Sequence, residues 1–192
     1  KRLDQQITLA CIPKEAIAAQ HPVMQAIALS GLDARWVGYD LGFAQEFFLA
    51  GFAQAAKMPV LSLETPELQM QALLPTTDSD ALELIARTLK DLEDGKTRRM
   101  MGRMATAWET GNLEELANYE QWCDCIKDDA DRAFYKRIND GRNPHLADRI
   151  AAVHAEGKKV FAAVGALHMT GDKALPKLMA ERGFKVERVN YQ

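Results

Sequence analysis

The chain of 192 residues carries 24 Lys and Arg against 27 Asp and Glu, a formal net charge of −3, with 47% hydrophobic and 27% charged residues. It is too apolar for a disordered chain and long enough to bury a core. The charge offers phosphate backbones and anionic lipid no bulk attraction, and Arg98, Arg99 and Arg103, the densest basic cluster, read as a solvated helix face among acidic neighbours. No apolar run approaches the ~18 residues of a membrane span, so neither nucleic acid nor membrane insertion is expected.

The first forty residues read as helical pieces broken at Pro13, Pro22 and Gly31, with Val23, Met24, Ile27 and Ala28 on one face of the second piece. His21 carries no readable signal. Asp40 is a candidate N-cap before Leu41, Phe43, Phe47, Phe48 and Phe52, an apolar stripe at helical spacing that reaches about Lys57. Pro59 opens a short apolar run over 60–63 that ends at Glu64, and Thr65-Pro66 stops it, which predicts a buried strand.

From Asp80 the pattern turns helical. Leu82, Ile85, Leu89 and Leu92 repeat at three and four up to Gly95, and Met101, Met104 and Trp108 form a second stripe up to Gly111. Asn112, with Glu115 three positions on, restarts a third helix with Leu113, Leu116 and Tyr119 inward. Residues 78–140 thus read as a helical insertion or cap. Cys123 and Cys125 have no second Cys or His pair for a zinc site, and a bridge at that spacing is expected to be strained. Cys11 bonded to either one, or buried free thiols, are the other readings.

Asn143-Pro144 is a strong helix start, and Leu146, Ile150 and Val153 carry the apolar face to Gly157. Residues 159–164 form a near-continuous apolar run, as in a strand covered on both faces. The loop 165–171 follows, then a helix with Leu175, Leu178 and Met179 inward that ends at Gly183, then a second strand over 184–189. This is the pattern of a βαβ unit. The expected fold class is therefore α/β, a mostly parallel sheet core with a large all-helical insertion, in one domain over 1–192.

In such folds ligands lie outside the carboxyl ends of the strands. The topology sends Glu64, His168, Arg142, Asn143 and Asp40 to that edge. Asp40 and Asn143 also read simply as helix caps, whereas a His between Gly165 and Gly171 after a buried strand has no obvious packing task. His145 and His154, nine apart on one helix, are poorly spaced for a shared ligand.

Residues 142–189 resemble the C-terminal signature of the TraB/PrgY/GumN family: an Arg-Asn pair before a helix, a strand leading into Gly-x-x-His at Gly165 to His168, and a following helix. Upstream, Gly38-Tyr39-Asp40, the run from Pro59 to Glu64 with Thr65, and Trp108 to Gly111 resemble further family segments. The resemblance implies a relation to the Tiki metalloproteases and, more distantly, to erythromycin-esterase-like and haem-binding ChaN-like proteins. It implies an active site in which His168, Glu64 and Arg142 are catalytic; Asp40 and Asn143, sent to the same edge by the topology, are expected to bind or orient substrate. His168 and Glu64 would ligate a divalent metal, manganese or cobalt. The family's first Gly-x-x-His has no counterpart here, so the chain, which begins at Lys1, is expected to be the C-terminal portion of a longer domain.

Two functions follow from this reading. One is a metal-dependent, peptidase-like hydrolase whose active site lies at the sheet edge, with Arg142 stabilising an oxyanion. The other is a non-catalytic binding protein that holds a peptide, signal molecule or porphyrin in the same cleft. Self-association through an exposed sheet edge and an extracytoplasmic location, in the periplasm or cell envelope, complete the expectations.

Overall fold

The computed structural model describes residues 1–189. In chain order its helices are α1 (Arg2–Leu9), α2 (Pro22–Asp33), α3 (Gln45–Ala55), α4 (Pro66–Leu73), α5 (Asp78–Glu93) and α6 (Lys96–Glu109). They continue with α7 (Leu113–Ala117), α8 (Tyr119–Trp122), α9 (Asp129–Ile138), α10 (Asn143–Ala155) and α11 (Leu175–Glu181), with short 3-10 turns between them.

No β-strand occurs among the described residues, which overturns the expected α/β class and its parallel sheet. Residues 60–63, 159–164 and 184–189 run without helix or ladder. Their composition suits a strand, but a strand is held by hydrogen bonds and side-chain packing from a neighbour, which local sequence cannot supply. Without that neighbour these segments leave apolar groups in water: Phe161 is 75% exposed and Val189 72%. The sheet edge expected to drive self-association is likewise absent among the described residues.

The chain divides into two compact units, residues 1–61 with 73–106, and 62–72 with 107 onward, with one junction inside α6 and another at the last residue of α4. In the first unit α2 packs on α5 and both meet α1, around Ile7, Ile17, Leu29, Leu89 and Leu92. His21, silent in the sequence, caps α2: its Nδ1 accepts from Val23 N at 3.2 Å, with Pro22 in the first helical turn. Thr77 caps α5 by accepting from Asp80 N at 3.2 Å, so the helix opens two residues before the expected Asp80. Leu82, expected inward, is 68% exposed, because the buried stripe of α5 starts only at Ile85.

Asp40 caps a 3-10 turn over Leu41–Phe43 rather than a long helix, its Oδ1 accepting from Gly42 N at 2.8 Å. Helix α3 begins after it and buries nothing; Phe47, Phe48 and Phe52 all face solvent. An apolar stripe at helical spacing specifies a face, and burying it requires an element to lie on it.

In the second unit α10 packs on α11 through Leu146, Ala147 and Leu175, with Leu63, Val164, Leu178 and Met179 around them. Asn112 caps α7 by accepting from Glu115 N at 3.0 Å, as its spacing predicts. Leu116 and Tyr119 are buried, but Leu113 faces outward. Tyr119 stacks on Tyr135, and burial pushes both phenols up to about 12. Cys123 is bonded to Cys125 in a disulfide, and the Tyr119 hydroxyl donates to Cys125 Sγ at 3.5 Å; Cys11 is free and exposed. No helix among the described residues is long and apolar enough to cross a membrane.

Burial here decides the cost of substitution. Leu89→Ala is expected to lose about 2–5 kcal/mol of unfolding free energy. Phe48→Glu is expected to change it by less than about 0.5 kcal/mol and to reduce binding of an apolar dye. Urea denaturation of the two variants and a dye titration check this pair of outcomes.

Candidate functional site

The helix start at 142–144 organises the second unit. Gly141 makes the turn out of α9 possible: a Cβ there would stand 3.1 Å from the Arg137 carbonyl oxygen, closer than backbone tolerates without shifting. The next residues then project in different directions. Arg142, not Asn143, occupies the N-cap position, and Asn143 is the first helical residue, with its side chain freed from capping.

Arg142 reaches Glu64 across 78 positions of sequence, Nε donating to Oε1 at 2.9 Å and Nη2 to Oε2, while Nη1 donates to the Ile138 carbonyl at 3.1 Å. The two-pronged geometry matches a planar guanidinium to a carboxylate. Glu64 is buried, its side chain only 5% exposed. The hydrogen bonds from Arg142 hold its carboxyl below the usual carboxylate range, more than offsetting burial, and the same pairing raises Arg142.

Asn143 is wholly buried. Its Nδ2 donates to the Lys173 carbonyl at 2.7 Å and to the His168 carbonyl at 3.4 Å, which leaves Oδ1 to face His168 Nδ1 at 2.6 Å. An amide oxygen only accepts, so Nδ1 of His168 carries the proton and Nε2 presents a lone pair. Nε2 has no hydrogen-bond partner among the described residues. Burial pushes the His168 imidazole below its ordinary value; the Arg142 charge acts in the same direction and Glu64 opposes it. The ring is therefore neutral at neutral pH.

Two further residues belong to this arrangement. His145, set aside on its spacing from His154, lies against the Leu63 carbonyl through Nε2 at 3.1 Å, and a carbonyl partner makes that nitrogen the donor. Asn139, buried at the end of α9, donates from Nδ2 to the Leu167 carbonyl at 3.2 Å. Asn139 and Asn143, one helical turn apart in number, thus pin the loop that carries His168. The signal for Asn139 was its place four residues before an already suspected asparagine; His145 had none beyond adjacency.

The structure therefore brings Glu64, Arg142, Asn143 and His168 into one cluster. Asp40 belongs to the first unit, where it caps the Leu41–Phe43 turn. The expectation of a metal-binding hydrolase at a sheet edge is overturned. No sheet exists among the described residues, and no group of three or more His, Cys, Asp or Glu side chains there could hold a metal ion. The sheet-edge cleft expected of a non-catalytic binding protein is absent for the same reason. Both carboxylate oxygens of Glu64 are engaged by Arg142, so the donor set does not fit a divalent ion: a manganese or cobalt ion meeting His168 Nε2 would draw its other ligands from outside this cluster.

A sequence profile described as the TraB/PrgY/gumN family matches residues 1–188. Neither a curated protein nor a solved structure matches the chain.

Replacing Arg142 leaves a buried carboxylate unpaired. Arg142→Met is expected to cost about 3–5 kcal/mol, and Glu64→Gln combined with Arg142→Met to cost less than Arg142→Met alone. Because the Glu64 carboxyl titrates lower in the folded than in the unfolded chain, its contribution is present above the usual carboxylate range. It is lost as pH falls through the lowered folded value, so Glu64→Gln flattens the acid limb of the stability profile. Urea titrations at a series of pH values measure both effects.

Proposed function

The chain belongs to the TraB/PrgY/gumN family, and we propose that the cluster at the start of α10 is its functional centre, a proton-transfer site in which His168 accepts through Nε2. The observation that carries this reading is the setting of Asn143. A fully buried amide held by two backbone carbonyls, with its oxygen 2.6 Å from His168 Nδ1, fixes one tautomer and one ring orientation. Packing alone would be served better by an apolar side chain, since every buried polar group must be satisfied.

A substrate O–H or N–H within hydrogen-bond reach of Nε2 would transfer its proton there. The imidazolium so formed keeps its Nδ1–H bond to Asn143; the nearby Arg142 charge disfavours it and the Glu64 carboxylate favours it. Glu64 and Arg142 act as positioning residues: paired with each other, they hold the 62–64 segment against α10. No step is assigned to a metal ion. The substrate class this supports is a small polar molecule with a transferable proton.

An acylating reagent such as diethyl pyrocarbonate attacks only neutral imidazole, so the pH dependence of labelling reads each histidine by peptide mass spectrometry. His168 is expected to stay reactive to lower pH in the folded chain than in the urea-unfolded chain, and Asn143→Asp to move its folded profile to higher pH by adding a carboxylate at Nδ1. A His168 profile that is the same in the folded and the urea-unfolded unaltered chain overturns the assignment.

An extracytoplasmic location belongs to the same proposal, supported by the Cys123–Cys125 disulfide, since such bridges persist in oxidising compartments. Alkylation of protein taken directly from periplasmic and cytoplasmic fractions, without reductant, is expected to modify Cys11 alone in the periplasmic pool. Alkylation of all three thiols there contradicts it.

A further inference from the structure

Cys123 and Cys125 lie in the second unit and close a disulfide across a single intervening residue. The entropy that a bridge removes from the unfolded chain grows with the loop it closes, so this one is a poor staple. Its ring also holds Asp124 at φ +54°, in the left-handed region that a residue with a side chain rarely takes. Cys123 is 3% exposed, Cys125 is only partly buried, and the Cys125 N–H donates to Cys123 Sγ at 3.1 Å. A thiolate formed on Cys123 therefore has a hydrogen-bond donor in place.

Two sets of contacts lead from this ring to the turn that carries His168. In the first, the Tyr119 hydroxyl donates to Cys125 Sγ at 3.5 Å, and the Tyr119 ring stacks on Tyr135 with centroids 5.5 Å apart. Tyr135 stands one helical turn before Asn139, whose N–H donates to its carbonyl at 3.0 Å and whose Nδ2 donates to the Leu167 carbonyl at 3.2 Å. In the second, Trp122, the neighbour of Cys123, donates its indole N–H to the Glu115 carbonyl of α7 at 2.7 Å. Helix α7 in turn packs on the 3-10 turn over Ala166–Met169. Tyr119 lies edge-on to Trp122 at 5.1 Å and joins the two sets. Leu116, Tyr119 and Asn139 are buried, and a packed interior passes a displacement on rather than absorbing it.

We propose that the Cys123–Cys125 bridge is a redox switch for His168, opened by a dithiol. The inference rests on reading His168 as the functional residue of the second unit. The first thiolate of the dithiol attacks Cys125 Sγ and forms a mixed disulfide, the Sγ–Sγ bond breaks, and Cys123 leaves as a thiolate. The second thiolate attacks the dithiol's own sulfur in the mixed disulfide, which releases Cys125 as a thiolate and leaves the dithiol oxidised to a disulfide. Two electrons pass to the cysteines, and each thiolate takes up one of the two protons that the dithiol gave. Opening lets Asp124 leave the left-handed region and frees Cys125 from Cys123, so the Tyr119 hydroxyl loses its fixed sulfur partner and both contact sets slacken. The Ala166–Met169 turn then holds the imidazole less deeply, in a setting where Arg142 and Glu64 are the charges that act on it.

The test uses the full unaltered chain, labelled with carbon-13 and nitrogen-15, and dithiothreitol as the dithiol. Intact mass after alkylation counts the thiols, Cys11 alone in the closed chain and all three cysteines in the open one. Histidine ring resonances followed across pH give each midpoint in both states, with His21, in the first unit, as the control. Opening is expected to raise the His168 midpoint by about half a pH unit or more, reversibly on reoxidation, with His21 and the helical far-ultraviolet signal unchanged. A bridge that dithiothreitol leaves closed in the folded chain, a His168 midpoint that ignores opening, or helix loss with all histidines moving together overturns the switch. A His168 midpoint that is lowered in the closed chain and ignores opening leaves the proton-transfer reading standing. A midpoint in the closed folded chain equal to that in urea removes that reading and the switch with it.

Discussion

The Arg142–Glu64 pair is the interaction on which the second unit's organisation rests. It joins residues 78 positions apart, and it does so with a carboxylate that is almost wholly removed from water. Such a pair contributes little net stability by itself, because two ions must be desolvated to make it. What it contributes is uniqueness. The segment around Glu64 has no helix and no strand to hold it, and the guanidinium fork specifies where it lies against α10. His145 reinforces that position one residue away, at the Leu63 carbonyl, and Leu63 itself joins the apolar contacts of α10 and α11.

From that anchor the rest of the cluster follows by helical geometry. Residues 142 and 145 both meet the segment at 63–64 while residue 143 meets the loop that carries His168, so a single backbone start fixes that segment and that loop at once. The two asparagines act as backbone surrogates: their amides satisfy carbonyls of an irregular loop, which would otherwise be mobile. His168 is thereby oriented by groups that carry no charge, and its protonation state is governed chiefly by how far it is buried.

Much of this was legible in the sequence wherever the signal is local. Helix starts at Asp40, Asn112 and Asn143-Pro144 mark real turns to within a residue or so, since capping depends on neighbours within four positions. The sequence argument sent Glu64, Arg142, Asn143 and His168 to a sheet edge, and the structure instead brings these side chains together around a helix start. What was not legible depends on partners. Residues 159–164 and 184–189 look like strands because valine and phenylalanine suit a pleated surface, but pairing is a property of two segments, and one segment cannot display it. The phenylalanines of α3 and Leu82 of α5 read as inward for a similar reason: periodicity shows that a face exists without showing what covers it. His21 and His145 escaped notice because each uses a ring nitrogen towards backbone, a role with no characteristic spacing.

The closed fork between Arg142 and Glu64 has a consequence for how anything reaches His168. With one cation and one anion in contact and the imidazole neutral, the centre presents no net monopole to solution near neutral pH. Its field falls off as that of a short dipole, well inside a Debye length of about 8 Å at physiological salt. The cluster itself therefore does not steer a charged visitor, and any dependence of the encounter rate on ionic strength comes from the rest of the chain, whose formal net charge is −3.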